Sequence, residues 1–170
     1  KQYGSVDNLN KAWASGFKSW EDFLRSQEVP GTEAAKADLR SFTRKIAARY
    51  FEAIRDRIRE VAPNKLYLGA RFGLPAYPDV SRREDWLMPL AARSCDVVSF
   101  NRYRYTIREL RLPEGIDRPI IIGEFHFGAL DRGLLHTGLV SSYDQRERAA
   151  LYEFYVREAL RNPFIVGTHW

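Results

Sequence analysis

The 170-residue sequence has a single cysteine, Cys95, a single methionine and only three histidines. One thiol builds no internal disulfide and anchors no cysteine-rich zinc site, so Cys95 reads as core packing. His126, His136 and His169 show neither His-x₃-His spacing nor a comparable ligand pair, and no metal site is expected. No run approaches the roughly 18 uncharged apolar residues of a membrane span, so no membrane partner is expected. A Gly-x-Ser-x-Gly elbow, a Gly-rich phosphate loop and a dinucleotide fingerprint are all missing, and with them any sign of a cofactor. What remains is carboxylate chemistry.

The net charge of +5 comes mostly from arginine, which raises the question of nucleic acid. In residues 40–59 and 146–161 the basic residues alternate with Glu and Asp at helical spacing, as the outward faces of amphipathic helices do. A nucleic-acid partner is therefore not expected. Arg102, Arg104, Arg108 and Arg111 have few acids among them; they either meet an anionic ligand or are solvated.

The chain is organised around the stretch Pro119 to Gly128, in which Ile120, Ile121 and Ile122 precede Gly123 and Glu124. Three consecutive β-branched apolar residues suit a strand buried on both faces. Such a strand ends here in a carboxylate, which must be paired, protonated or placed where the strand opens into a polar cleft. In parallel α/β folds that place is the carboxyl edge of the sheet. The alternative is a Glu salt-bridged to a neighbouring arginine with no chemical role.

Short helices are expected from Ser5, with Val6, Leu9 and Trp13 on one face, and after Ser19, with Trp20, Phe23 and Leu24 apolar. Both read as a structured excursion. After Pro30-Gly31, Thr32 caps a long helix with the stripe Leu39, Phe42, Ile46, Tyr50, Ile54, Ile58 and Val61. Strands are predicted at Leu66 to Phe72, Val97 to Tyr103, Ile120 to Phe125 and Phe164 to Trp170. A helix over Ser81 to Arg93 should be distorted by Pro89, and Thr106 to Arg118 has pattern for no more than one helical turn. Ser142 to Gln145 has capping-box form and opens a helix to Arg161 with the inner stripe Ala149, Tyr152, Val156 and Leu160.

Strand and helix alternating at these spacings means βαβ units and a parallel α/β sheet. The chain opens on an excursion and a helix with no strand before them, and stops on a strand with no helix to cover it. That pattern reads as the C-terminal half, about strands five to eight, of a (β/α)₈ TIM barrel cut from a longer chain, with residues 1–31 as the excursion after strand four and 32–170 running from helix four to strand eight.

The strand ends carry Arg71, then Asn101 and Tyr103, then Glu124 and His126, then His169 and Trp170, which would converge on one rim. Trp170 is either a core aromatic or a flat platform for a sugar face. Tyr103 either donates its hydroxyl to Glu124 or packs, and Arg71 either tunes Glu124 or merely pairs with it. The long connection from His126 to Ser141, with Gly128, Gly133 and Gly138, is either a mobile loop or one that faces substrate through Asp131, Arg132 and His136.

Tyr3 to Trp13 with Phe17 to Phe23 resembles the segment after the fourth strand in retaining glycoside hydrolases of the agarase and β-galactosidase kind. Ile122 to Gly128 with Asp131-Arg132-Gly133 and His136, followed by Asn162 to Trp170, resembles more closely the β-agarases of glycoside hydrolase family 50. The resemblance implies Glu124 as catalytic nucleophile, Asn101 and Tyr103 at the end of strand six, and Trp170 ending strand eight beside the scissile sugar. It also implies a galactan or agaro-oligosaccharide substrate, double displacement between two carboxylates about 5–5.5 Å apart, and a secreted or periplasmic location. In these families the acid/base is a Glu that follows Asn at the end of strand four. No Asn-Glu pair occurs in this sequence, so the acid/base is expected outside it. A half barrel would also leave sheet edges open to pairing, in the missing half or in a homo-oligomer. Two other readings stay open: β-galactosidase action on small substrates, and a non-catalytic carbohydrate-binding half barrel.

Overall fold

Ser5 and Ser19 open two short helices by the same device. Each is extended and accepts, on its side-chain oxygen, the backbone N–H three residues on, at 3.2 Å. These helices, α1 (Val6–Trp13) and α2 (Trp20–Arg25), belong with the start of α3 (Glu33–Val61) to a first compact unit, Lys1–Ile46; Ala47–Trp170 forms a second. The computed structural model describes residues 2–28, 31–73 and 86–170.

The first unit has its own small core. Leu9 and Trp13 of α1 bury against Ala35 of α3, with Phe17 and Phe23 packed around them. Asp38 ties the unit together by accepting from the Tyr3 hydroxyl, the Trp13 indole N–H at 2.8 Å and the Gln2 amide at 2.9 Å. Those donors, Tyr3 foremost, hold its carboxyl below the usual range. Thr32 caps α3 as expected, accepting from the Ala35 N–H.

The expected stripe along α3 is only partly buried. Leu39, Phe42, Ile46, Tyr50 and Val61 are exposed, whereas Phe51 is buried and Ile54 and Ile58 pack against the main core. Periodicity shows which residues share a helix face; it does not supply the neighbour that covers them.

In the second unit four short strands, β1 (Arg71–Gly73), β2 (Val98–Asn101), β3 (Ile120–Glu124) and β4 (Ile165–Thr168), pair in parallel in the order β1-β2-β3-β4. The first begins later than the sequence implies because Gly69 sits at φ +65°, outside extended geometry. Before it, Tyr67 is held by Asp96, whose carboxylate accepts the Tyr67 N–H at 2.7 Å.

Helix α4 (Leu87–Ser94) precedes β2, and Pro89 does not distort it. Pro89 is its third residue, in the first turn, where the N–H it lacks would have no partner inside the helix. The part of the expected helix at 81–85 lies outside the described residues.

No helix forms between β2 and β3. Instead the Asn162 amide, just after α5 (Gln145–Arg161), donates to the carbonyls of Ile107, Arg108 and Leu110 and pins that connection down. The N-cap of α5 is Asp144, two residues past the predicted Ser142. Its carboxylate accepts from the Glu147 N–H, and Glu147 reaches back to the Tyr143 N–H. The buried face is displaced as well: Tyr155, Glu158 and Ala159 are inside, while Ala149, Tyr152 and Leu160 are exposed. A buried glutamate hides this face from a hydrophobic pattern. It is held by Arg108 at 2.6 Å and Arg161 at 3.4 Å.

Phe100, Ile120, Ile122, Phe125 and Tyr155 form the centre of the core. Only one face of β3 is fully buried, that of Ile120 and Ile122; Ile121 and Gly123 on the other face are partly exposed. Among the described residues no helix is long and apolar enough to cross a membrane.

Candidate active site at the carboxyl edge of the sheet

The direction of Glu124 is set by an irregularity. Ile121 pairs with Ser99 and Ile122 with Phe100, but the next pair is Asn101 with Glu124, so Gly123 is an extra residue in β3. Without that bulge, alternation would turn Glu124 to the side of Ile120 and Ile122, into an apolar core. The bulge turns it to the other face, where Arg71 and Asn101 wait. A larger residue there would have to displace its neighbours, since a Cβ on Gly123 would lie 2.5 Å from Arg71 Cδ and 2.7 Å from Ser99 Oγ.

Asn101 Nδ2 donates to Glu124 Oε2 at 3.1 Å, and Arg71 Nη1 stands 3.1 Å from the same oxygen while also donating to the Gly123 carbonyl at 3.1 Å. Oε1 accepts no hydrogen bond among the described residues. The Glu124 side chain is 40% exposed, and among the described residues its hydrogen bond and ion pair both fall on Oε2. A carboxylate held in this way is oriented by its two donors.

The other expected residues are divided between that edge and its surroundings. Tyr103 places its ring 4.9 Å from that of His126, and among the described residues no hydrogen bond joins its hydroxyl to Glu124. His126 Nε2 accepts the Leu139 N–H at 2.9 Å, which ties the far end of the loop back to the strand. An accepting Nε2 puts the proton of a neutral ring on Nδ1. Gly128 bridges Ser141, so the loop between them is closed at its base. Asp131 is turned to the start of α5, accepting from the Gln145 N–H at 3.2 Å and its side-chain amide at 3.3 Å. His136 Nδ1 accepts the Gly138 N–H within a local turn and is exposed.

Trp170 is 51% exposed and packs edge-on against Phe125 and Tyr152, with the Arg148 guanidinium 5.1 Å from its ring centre. The sequence reading places Tyr152 on the inner stripe of the last helix and assigns Arg148 no role. Their spacing to each other is helical, but nothing in the sequence joins them to Trp170. Among the described residues no group of three or more His, Cys, Asp or Glu is arranged to hold a metal ion. A hollow of about 860 Å³ lies apart from this edge, in the first unit between Trp13, Phe17 and Thr32.

A parallel α/β sheet that delivers a half-exposed, hydrogen-bonded carboxylate to its carboxyl edge is the kind of scaffold on which hydrolytic sites are built. Comparison with known proteins is more specific. The chain is 34% identical to β-agarase B of Vibrio sp. (strain JT0107) over 177 residues, covering all of this chain and 18% of that protein. It superposes on the solved structure of an exo-β-agarase with a TM-score of 0.78 at 33% identity, and on that of PfGH50B with 0.76 at 32%. Those matches cover 99% of this chain and 23% and 24% of the solved chains. No protein-family model matches. From end to end the chain is thus a relative of the β-agarases, a glycosidase group, and corresponds to one segment of their much longer chains.

Proposed function

We propose that this chain is the nucleophile-bearing half, strands five to eight, of a retaining (β/α)₈ glycoside hydrolase that cleaves β-galactosidic linkages in agarose-type galactans. Residues 1–31 are then the excursion after strand four, and 32–170 run from helix four to strand eight. The observation that carries the reading is Glu124: turned by a bulge at the carboxyl edge towards Arg71 and Asn101, which hold one of its oxygens, while the other accepts no hydrogen bond among the described residues. Four parallel strands in sequential order and the likeness to agarase structures support it.

In the first step Glu124 Oε1 attacks the anomeric carbon, and the bond to the leaving oxygen breaks as that oxygen takes a proton from an acid outside this chain. In the second step water, deprotonated by the same group, displaces Glu124 and returns the carboxylate. Arg71 and Asn101 keep the nucleophile in line. Trp170 offers an aromatic face to the sugar, with Tyr103, His126, Asp131 and His136 around the rim. Without the acid/base this segment alone would lose general-acid help of about 10²–10⁴-fold.

The test is mass spectrometry of the full-length protein after treatment with a 2-deoxy-2-fluoro-galactosyl inactivator. A glycosyl ester on Glu124 is the expected result. Turnover of substrate with the label on another residue, or with no label at all, overturns the assignment. The binding-module reading predicts instead that Glu124→Gln leaves an inert protein with unchanged oligosaccharide affinity, and the small-substrate reading predicts aryl-galactoside cleavage without action on agarose.

A further inference from the structure

Two of the three histidines are spent on consecutive amides of one loop. His126, two residues past the end of β3, accepts the Leu139 N–H on Nε2 at 2.9 Å, and His136, inside the loop, accepts the Gly138 N–H on Nδ1 at 2.9 Å. Both bonds need a bare nitrogen lone pair. The His126 proton therefore sits on Nδ1 and the His136 proton on Nε2, and neither ring can take a second proton without turning its acceptor into a donor aimed at another donor.

The loop is closed at its base, where the Gly128 N–H donates to the Val140 carbonyl, the Ser142 N–H to the Gly128 carbonyl and the Tyr105 hydroxyl to the Ser141 carbonyl, each at 2.8 Å. Further out, Leu130, Leu134, Leu135 and Leu139 are all exposed, so apolar burial does little to hold the loop down and the hydrogen bonds carry that task.

Few charges surround the two rings. The Tyr103 ring lies 4.9 Å from that of His126, with Arg102 and Arg104 flanking Tyr103 in sequence. Glu124, two residues earlier on the chain, is turned to Arg71 and Asn101. In the loop itself Asp131 is engaged by Gln145 and is followed by Arg132. At the start of α5, Asp144 and Glu147 each accept a backbone N–H there. Among the described residues no carboxylate forms an ion pair with either imidazole, so nothing compensates a proton taken up in the closed loop.

We propose that His126 and His136 are positioning residues for this loop and hold it only as neutral rings, so that mild acid releases it from the edge that carries Glu124. Proton binding and closure compete. Closure is therefore complete above the range in which an open loop would take up protons and is lost as the pH falls through it. A ring that takes its proton only when the loop is open favours the open state by about tenfold for each pH unit below the ordinary imidazole value near 6.5. The release rests on imidazole chemistry alone and is independent of the glycosidase reading.

The experiment is hydrogen–deuterium exchange of the full-length protein at pH 7.5 and 5.5, with labelling times scaled to the intrinsic exchange rate at each pH and peptides spanning 129–141 followed by mass spectrometry. Carboxylates ordinarily stay ionised in that window. Protection of 129–141 is expected to fall by about tenfold or more at pH 5.5, while peptides from β3 keep theirs. Gln at 126 and Asn at 136 bring an amide oxygen, which does not titrate, near the positions of Nε2 and Nδ1. The double variant His126→Gln, His136→Asn is therefore expected to hold its protection across the window. Should it fail to fold, the two single variants serve, each expected to lose less protection than the unmodified protein. Unchanged protection of 129–141 in the unmodified protein, a loss that extends to β3, or an equal loss in the folded variants overturns the proposal.

Discussion

Arg71 reaches across from β1 to place Nη1 3.1 Å from Glu124 Oε2, an oxygen that also accepts from Asn101. The pair is more than a third exposed on both sides, so solvent screens it and its contribution to stability is small, below about 1 kcal/mol. Its consequence lies in orientation. Arg71→Met in the full-length protein is expected to leave the denaturant midpoint nearly unchanged. Turnover should drop by roughly tenfold or more, the worth of a hydrogen bond to a charged group. A large stability loss with unchanged turnover would make the pair structural.

Gly123 connects that pair to the fold. An added Cβ there meets Arg71 Cδ at 2.5 Å and Ser99 Oγ at 2.7 Å. Gly123→Ala must therefore push Arg71 off its path to Glu124, and overpacking of this kind costs about 1–3 kcal/mol. The expected result is a lower melting temperature together with a turnover deficit at least as large as that of Arg71→Met. Unfolding curves and initial rates on the same preparation check both.

These two residues also mark how far the sequence could be read. The four strands, their parallel order and Glu124 at a strand end follow from β-branched runs, turn residues and spacing. Which way Glu124 faces does not, because a bulge shifts the alternation without changing composition; Gly123 inside the strand was the available sign. The buried face of α5 was misplaced for a related reason. Glu158 is polar by type and buried by virtue of Arg108, a partner 50 residues away in sequence. The place of Asp131 in a long loop is legible in the sequence, whereas the hydrogen bond it accepts from the Gln145 N–H at the start of α5 follows only from the fold.

Glu158 itself gives the chain a pH dependence. The hydrogen bond from Arg108, followed by the attraction of Arg108 and Arg161, holds its carboxyl below the ordinary value of 4.5 despite burial. A depressed folded-state pKa means that the stability it contributes is complete above the unfolded value and is lost as the pH falls through the folded one. Denaturant midpoints measured from pH 6 downward should decline more steeply in the unmodified protein than in Glu158→Gln, whose own midpoint is lower near neutrality. Parallel pH profiles would rule out this role.

Cys95 is buried in the main core, and burial, with Asp96 adding to it, raises its thiol pKa to about 11. At pH 8 almost no thiolate is present, and the sulfur is shielded as well. A chromogenic disulfide reagent should react with it slowly in the folded protein and at once in denaturant. Reaction at the rate of a free thiol would mean that the core around Gly69 and Met88 opens readily.

The loop that follows β3 is held by a glycine whose replacement separates two effects. Gly138 lies at φ +74°, and a Cβ on it would sit 2.3 Å from His126 Nε2, the atom that accepts the Leu139 N–H. Gly133, in the same loop, lies at φ +88° with nothing within 4 Å of such a Cβ. Both Ala variants incur the left-handed backbone cost of about 1–2 kcal/mol, and only Gly138→Ala must also move the His126 ring and break its bond. The stability difference between the two variants therefore reads the His126 anchor alone. Gly138→Ala is expected to be the less stable and to shift the His126 ring resonances, whereas Gly133→Ala leaves them in place. If the loop lies over the sugar during catalysis, turnover falls with the anchor; equal rates in the two variants would assign His126 to loop folding and remove it from the substrate rim.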